Sequence, residues 1–204
     1  DGRDRVIEKK VPDSKFIEYY YDDRDLPTYT QDGNQRALEK WFHSHYDAYG
    51  RERKTGLVSV TDEPDGGTQT AITGEAWLSD TDYDEGATSN PILFGKMTSS
   101  KTKVLNGSTP FIFKTYSYDN FGRMQGESST TVLDAGMTYG YISYSTSNTY
   151  DFADNLLSTT TEFYKENSTG ADLRFEYIFE YDHSGRLKTS KIISPGMITD
   201  DLIT

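Results

Sequence analysis

The sequence predicts an all-β fold of consecutive antiparallel β-hairpins that form a curved or spiralling sheet. Three observations lead to this prediction. A six-residue phrase, Tyr-Asp-x-x-Gly-Arg, returns along the chain, the residues before it alternate between aromatic and polar, and the phrase itself has the composition of a tight turn. A phrase that recurs every roughly 20 to 50 residues indicates a repeat architecture. Repeated units form surfaces and shells more often than single catalytic pockets.

The phrase occurs in full three times, at 46–51, 118–123 and 181–186. Partial copies lie at 21–25 and 150–154. The residues that define the phrase, and that we take as the structural repeat motif, are Tyr46, Asp47, Gly50, Arg51, Tyr118, Asp119, Gly122, Arg123, Tyr181, Asp182, Gly185 and Arg186.

The third full copy shows what one repeat does. Before the turn, Phe175, Tyr177, Phe179 and Tyr181 occupy every second position. This period of two is typical of one face of a β-strand, where aromatic side chains fit well. In the turn, the side chain of Asp182 can accept a backbone hydrogen bond, and Gly185 can take a positive φ without a Cβ clash. A second polar–apolar stretch, 186–192, completes a β-hairpin.

The partial copies carry Asp25 and Asp154 where the full copies carry Gly. Asp is one of the few other residues that enter the left-handed region at modest cost. The position therefore requires a backbone shape, and we expect Asp to be accepted there for that reason.

The spacing of the copies sets the organisation. Their Tyr residues stand at 21, 46, 118, 150 and 181, and one interval is more than twice as long as the others. It has room for one more unit plus an insertion, and the segment 83–86, Tyr-Asp-Glu-Gly, is a candidate relic. We therefore predict first repeat units over 1–56, an insertion or degenerate repeat over 57–94, and further repeat units over 95–204.

The phrase resembles the hairpin of bacterial RHS/YD-repeat proteins, and most closely that of large secreted members. Segments 21–56, 95–123 and 150–187 carry the resemblance, which covers nearly the whole chain except about 57–94. Within 21–56, the stretch 30–36 (Thr-Gln-Asp-Gly-Asn-Gln-Arg) contributes to it. Leu26 and Asn155 depart from it, because they stand where Arg is expected.

The resemblance implies a non-catalytic scaffold: a segment of β-ribbon wall or shell, built from four to six hairpins, in a secreted or cell-surface bacterial protein. The alternative is a carbohydrate or cell-surface binding module. We expect each motif Tyr to pack under the sheet, each Asp to brace its turn, and each Arg to pair with carboxylates of a neighbouring hairpin. The partners would be other repeats of the same parent protein, and we predict either self-association through exposed sheet edges or edges that are covered.

Composition narrows the function classes. Hydrophobic residues make up 34% and aromatic residues 14%, including 16 Tyr, which suits a thin sheet without a deep aliphatic core. The net charge of −12 argues against nucleic acid and anionic membranes as partners. No apolar run is long enough for membrane insertion, and the absence of Cys excludes disulfides and thiolate zinc sites. The missing initial Met and signal peptide suggest a fragment of a longer precursor.

Two groups of residues could bind a metal ion. His43 and His45 alternate along a predicted strand with Trp41 and Asp47, either as metal ligands or as a polar strand face with exposed imidazoles. The acidic stretch 80–86 is similar to a calcium loop, but Gly is its seventh residue and Pro91 takes the twelfth place, so the helix–loop–helix pattern fails. We expect an acidic insertion loop, no metal and no cofactor.

Signatures of catalysis are absent from the sequence: no Gly-x-Ser-x-Gly, no phosphate-binding Gly-rich loop and no His-Glu-x-x-His occurs. We therefore expect no enzyme activity. Trp41, Trp77 and the many Tyr residues could instead offer stacking surfaces to a glycan.

Overall fold

The structure is a computed structural model that describes residues 1–10, 12, 15–60, 64, 77–85, 87–104, 111–132, 142–165, 170–194 and 200–203. Over these residues, fourteen strands pair in the order in which they occur along the sequence, and each pair with a defined register is antiparallel. The predicted all-β fold of consecutive antiparallel hairpins is confirmed.

The chain divides into two units. The first contains the described residues up to Thr81, and the second those from Asp82 onward. The three-part division at 56 and 94 stays a prediction. The strands are β1 (Glu8–Lys9), β2 (Ile17–Tyr21), β3 (Pro27–Gln31), β4 (Trp41–Tyr46), β5 (Glu52–Val58), β6 (Trp77–Tyr83), β7 (Met97–Lys103), β8 (Phe111–Tyr118), β9 (Met124–Val132), β10 (Ile142–Tyr150), β11 (Leu156–Tyr164), β12 (Leu173–Tyr181), β13 (Leu187–Ile193) and β14 (Asp200–Ile203).

The first unit has a small aromatic core. Tyr29, Trp41 and Val58 are buried, and the ring of Tyr20 meets Trp41 edge-on at 5.4 Å between centroids. His43, which has no exposed surface, stacks on Tyr29 at 4.0 Å. These residues of β3, β4 and β5 form the buried apolar cluster of the unit.

A short helix, α1 (Gly33–Ala37), joins β3 to β4. Its N-cap is Asp32, whose carboxylate accepts the backbone N–H groups of Asn34 and Gln35, while the Gln35 side chain accepts the N–H of Asp32. This reciprocal capping box starts a helix too short to form without it. The sequence analysis did not predict α1.

The second unit lacks such a core among its described residues. Its strands are rich in Ser and Thr, and most side chains are half-buried. Cross-strand contacts between aromatic rings, Tyr144 with Phe163 at 6.0 Å and Phe163 with Phe175 at 6.2 Å, supply part of the packing. The thin sheet expected from the composition is therefore seen here.

A single-turn 3-10 helix, Pro91–Leu93, lies between β6 and β7. Among the described residues, no helix is long and apolar enough to cross a membrane.

Candidate functional site

The repeated turns are the candidate functional site, and their geometry is the same from copy to copy. We number the phrase from Tyr (position 1) through Asp (2) and Gly (5) to Arg (6), with position 7 the residue that follows. In the third copy the N–H of Gly185 donates to the carbonyl of Asp182 at 2.9 Å, which closes a four-residue turn. The strand register shifts next to Tyr181, so the turn is followed by a β-bulge.

Position 5 is left-handed in every described copy. The glycines there have φ of +80° at Gly50, +77° at Gly122 and +74° at Gly185. Asp25 and Asp154 have φ of +65° and +66°. The backbone shape expected from the sequence is therefore present at all five positions, and Asp does replace Gly in it.

The motif Asp braces the turn with both carboxylate oxygens. In the second copy, Oδ1 of Asp119 accepts the N–H groups of Phe121 at 2.9 Å and Arg123 at 3.0 Å. Oδ2 accepts Nε of Arg123 at 2.7 Å. Asp47 and Asp182 repeat this arrangement within their own turns. Each motif Asp thus holds the start and the end of its turn together.

The expected pairing with a neighbouring hairpin is present at Arg123, whose guanidinium lies 2.8 Å from the carboxylate of Asp154. Arg51, Arg123 and Arg186 also each pair with the Asp of their own turn, at 2.6, 2.7 and 2.8 Å, which the sequence analysis did not predict. The reason is local: the bulge at the end of the turn places position 6 directly opposite position 2.

The same hydrogen bonds lower the pKa values of the motif Asp carboxyls. At Asp182 the backbone N–H of Arg186 is the main cause, followed by the guanidinium. At Asp151 the main cause is the side-chain amide of Asn155. At Asp119 desolvation would raise the pKa, but the N–H and guanidinium of Arg123 outweigh it and lower the pKa overall. The carboxylate form is favoured in each of these turns.

The partial copies keep these contacts by substitution. In the first, position 6 is Leu26 instead of Arg. Arg24 at position 4 makes the contact in its place, because its Nε donates to Oδ2 of Asp22 at 2.9 Å. In the other, Nδ2 of Asn155 reaches Oδ2 of Asp151 at 2.9 Å. Both turns therefore remain braced without an Arg at position 6.

The structure also contains a copy that the sequence analysis missed. In the segment 1–5, Oδ1 of Asp1 accepts the N–H groups of Arg3 and Arg5, Oδ2 accepts Nε of Arg5, and Asp4 is left-handed with φ of +58°. The five residues follow the turn pattern with Asp4 at position 5. Position 5 is Asp4 instead of Gly and the segment contains no Tyr, so a search for the phrase did not find it.

The candidate relic of the repeat, which starts at Tyr83, is a turn of the same kind with a longer loop than the other copies. The N–H of Asp84 donates to the carbonyl of Lys96 at 3.0 Å, the bond that positions 2 and 6 make elsewhere, and Gly95 is left-handed with φ of +77°. Gly95 and Lys96 thus take positions 5 and 6. Tyr83 and Asp84 were placed correctly, but the turn glycine is Gly95. Gly86, proposed from the sequence, lies outside the described residues.

The motif Tyr links each turn to the one before it. The hydroxyl of Tyr118 donates to the carbonyl of Met97 at 2.8 Å, and that of Tyr181 to Leu156 at 3.0 Å. The acceptor is always position 7 of the preceding turn, as it also is for Tyr21 with Val6, Tyr46 with Pro27 and Tyr150 with Met124. Tyr46, Tyr118 and Tyr181 are half-buried, so the ring packs while the hydroxyl makes a fixed bond.

Arg5 and Arg123, which stand at position 6 of their turns, each make a second link to the following turn. The guanidinium of Arg123 donates to the carbonyl of Asp151 at 2.9 Å and to the carboxylate of Asp154 at 2.8 Å, and it lies 4.7 Å from the centre of the Tyr150 ring. Arg5 makes the same three contacts with Asp22, Asp25 and Tyr21. Asp at position 5 therefore serves chemistry as well as backbone shape, which corrects the interpretation made from the sequence.

The structure shows the contacts of the residues in both metal hypotheses. His43 is buried, not an exposed imidazole, and its Nδ1 lies 2.8 Å from the carbonyl of Thr28. The ring of His45 meets it edge-on at 4.7 Å. In the acidic stretch, Asp84 accepts the N–H of Gly95, and Asp82 accepts the hydroxyl of Ser99. Within the described ranges, no group of three His, Asp or Glu residues is arranged to hold a metal ion.

Trp41 cannot serve as a glycan-stacking surface, because it is only 8% exposed and forms part of the core. Trp77 packs against the same core. Glycan binding by other residues stays an untested expectation.

One charged cluster lies away from the turns. Lys114 on β8 pairs with Glu127 on β9 at 2.7 Å, and the hydroxyl of Tyr144 on β10 donates to the same carboxylate. The hydrogen bond to Glu127 raises the pKa of Lys114, so its ammonium form is favoured. This cluster joins three neighbouring strands through side-chain contacts.

The comparisons with known proteins identify the fold. No family model matches the sequence, and no curated protein matches it. Among solved structures, "TcdB2-TccC3-TEV" matches 97% of this chain with a TM-score of 0.62 and 15% sequence identity. "TcdB2-TccC3 without hypervariable C-terminal region" matches 96% with a TM-score of 0.60 and 14% identity. The chain spans 9% of the length of each of these chains.

Proposed function

We propose that this chain is a non-catalytic wall segment of a large exported protein of the RHS/YD-repeat type. In this proposal the hairpins lie side by side as part of a continuous β-ribbon that encloses a cavity. The chain would contribute no active site of its own.

The contacts between successive turns carry the proposal. Each motif Tyr from Tyr21 to Tyr181 donates to the preceding turn, and Arg5 and Arg123 donate to the following one. The same contacts recur in each of the two units. Chemistry that recurs at every repeat joins neighbours, whereas a catalytic centre depends on a single convergent set of groups.

The fold similarity supports the same proposal. A chain that matches solved structures over 97% of its own length but only 9% of theirs has the dimensions of one segment of a larger assembly. Export and a location outside the cell are part of this proposal, and so are partner repeats on either side of the segment.

Hydrogen exchange tests the proposal, because a wall segment needs neighbours at both of its outer strands. We expect the outward-facing amides of β1 and β14 to exchange fast in the isolated chain and slowly in the full-length natural protein, where further strands would bond to them. The amides of β9 and β11, which have partners on both sides, serve as the internal reference. Equal exchange at β1 and β14 in the two proteins would contradict the proposal.

A further inference from the structure

Phenylalanine residues stand at the corners of three of the four turns that the structure describes in the second unit. Positions 3 and 4 are the corner residues, because the hydrogen bond from position 5 to position 2 closes the turn around them. Phe94 and Phe121 stand directly before the turn glycine, and Phe152 is at position 3. The last turn, 182–185, has His and Ser at its corner instead. Polar residues are usual in tight turns, so turn formation does not account for the three Phe residues.

These three side chains are more exposed than any other large apolar side chain that the structure describes in the second unit. The exposed fractions are 64% for Phe94, 75% for Phe121 and 99% for Phe152. A ring that is so exposed gains little burial from its own fold, so it does little to stabilise this chain. A group of exposed apolar side chains indicates contact with another surface.

The three Phe residues lie along one edge of the sheet. The strands pair in sequence order, so the turns after β6, β8 and β10 come to the same edge. Their turns are linked by the hydrogen bonds of Tyr118 to the turn before it and of Arg123 to the turn after it. Because neighbouring strands are about 5 Å apart, successive hairpins place a Phe roughly every 10 Å. We call this row the aromatic edge: Phe94, Phe121 and Phe152.

Charged groups beside the aromatic edge have partners within the turns. The carboxylates of Asp119 and Asp154 both pair with Arg123, at 2.7 and 2.8 Å. The carboxylate of Asp151 accepts the side-chain amide of Asn155. An apolar surface that covers the Phe rings therefore leaves these groups paired. The net charge of −12 argues against an anionic membrane as that surface.

The opposite edge of the same unit is also apolar. Val104 follows β7 and Leu173 begins β12, at the strand ends that lie away from the repeated turns, and both side chains are exposed. A row of hairpins is only about 30 Å wide, because its longest strands have nine residues. A wall made of so narrow a ribbon encloses a cavity only if the edges of the ribbon meet other rows of hairpins.

We propose that the aromatic edge is a seam of the wall, where it packs against the opposite edge of another row of hairpins in the same parent protein. The Phe rings would be buried there against apolar side chains placed like Val104 and Leu173. The chain spans only 9% of the solved structures that it resembles, so a parent of similar size has ample further hairpins to supply this second row. The seam joins rows side by side, whereas pairing at β1 and β14 extends a single row.

This inference rests on the proposed wall function and deepens it, because it names the surfaces through which one row of hairpins closes on the next. The two can fail separately. Hydrogen exchange at β1 and β14 tests the wall, whereas the exposure of the Phe rings tests the seam. Protected outer strands together with exposed Phe rings would keep the wall and remove the seam.

Hydroxyl-radical footprinting with mass spectrometry tests the seam, because the oxidation rate of a side chain follows its exposure. We expect Phe121 and Phe152 to be oxidised at least about threefold more slowly in the full-length natural protein than in the isolated chain, since an interface core excludes water. Phe113 and Tyr177, which are partly exposed on opposite faces of the sheet, are the controls. Their oxidation rates should be similar in the two proteins.

A double variant of the full-length protein tests the same contact. Phe121→Ser with Phe152→Ser removes two rings from the seam, and we expect the oxidation rate of Phe94 to rise toward its value in the isolated chain. The matched control is Asn120→Ser with Ala153→Ser, which changes the neighbouring exposed corner residues of the same two turns. This control should leave the oxidation rate of Phe94 unchanged.

The opposite results overturn the inference. Equal oxidation rates of Phe121 and Phe152 in the full-length protein and the isolated chain would show that no row covers the aromatic edge. Slow oxidation of both rings already in the isolated chain would assign the edge to a second copy of the chain and would overturn the seam as well. If the double variant does not fold, the comparison of the two wild-type proteins decides the outcome.

Discussion

At the scale of single residues, position 5 of the turn has two roles, a backbone shape and a side-chain contact. The sequence analysis recognised only the backbone shape. The backbone must be left-handed, which Gly and Asp both satisfy. At Asp25 and Asp154 the side chain also accepts an ion pair from the preceding turn. At these two turns Asp therefore supplies a contact with the preceding turn in addition to the backbone shape that Gly also satisfies.

Replacing Gly122 tests the backbone requirement. We expect Gly122→Val to lower the free energy of unfolding by at least about 1 kcal/mol, since a β-branched residue is strained at φ of +77°. The measurement is urea unfolding. Gly170→Val is the control, because φ there is not positive and an added Cβ would meet no atom within 4 Å. Equal stability of the two variants would contradict the left-handed assignment.

Acid sensitivity tests the carboxylate at position 2. The pKa of Asp119 is lowered in the folded state, so its contribution to stability is present above the unfolded pKa of about 4 and is lost as the pH falls through the folded value. Asp119→Asn should therefore cost stability at neutral pH, and the cost should shrink toward about pH 3. The measurement is urea unfolding across this range.

Asp23→Asn is the control for this pH experiment. Its carboxylate is exposed in the same kind of turn and makes no hydrogen bond or ion pair within the described residues. A stability difference between wild type and Asp119→Asn that does not change with pH would show that the Asp119 charge plays no part in bracing the turn.

At the scale of elements, the hairpins are joined by hydrogen bonds from Tyr hydroxyls that recur from one turn to the next. Tyr118 on β8 bonds to the carbonyl that begins β7, and Tyr181 on β12 bonds to the carbonyl that begins β11. These bonds cross from one hairpin to the previous one. They fix the register of hairpins that share few buried apolar side chains in the second unit.

Removing one hydroxyl tests this link. Tyr118→Phe keeps the ring but leaves the carbonyl of Met97 without the bond, and we expect a loss of about 1 kcal/mol in the free energy of unfolding. Tyr177→Phe, on a ring that is 36% exposed, is the matched control. Unfolding curves that coincide for the two variants would show that the hydroxyl bond does not stabilise the sheet.

The link through Arg123 and Asp154 calls for a double-mutant cycle. Arg123→Leu, Asp154→Gly and the double variant should show a favourable coupling free energy that decreases in high salt, because the pair is an ion pair at the surface. Urea unfolding of the four proteins gives the coupling. Additive effects of the two single changes would mean that position 6 does not recognise position 5.

At the scale of the whole molecule, the features that the sequence predicted correctly are the strands and turns, which depend on local pattern. The alternation over Phe175–Tyr181 and the Asp–Gly turn were sufficient to place hairpins, because strand period and turn geometry are set by neighbouring residues. The turn at Asp84 was predicted with the wrong glycine, since Gly95 stands eleven residues from Asp84 instead of three. Helix α1 was not predicted, although the capping pair of Asp32 and Gln35 could have indicated it.

Contacts between turns could not be predicted in the same way. Arg5 meets Asp25 across twenty residues and Arg123 meets Asp154 across thirty-one, distances that only the pairing of the strands determines. The burial of His43 and Trp41 likewise depends on which strands lie on either side of β4. The sequence pattern therefore identified the repeated hairpin, and only the structure showed which residues join one turn to the next.

The central claim is that this chain is one stretch of a continuous wall of hairpins joined through their turns. Electron cryomicroscopy of the full-length natural protein tests it most directly. The claim predicts that β1 and β14 are hydrogen-bonded to further hairpins in a wall around a cavity. A map in which both outer strands face solvent or are covered by loops, with no enclosing sheet, would contradict it.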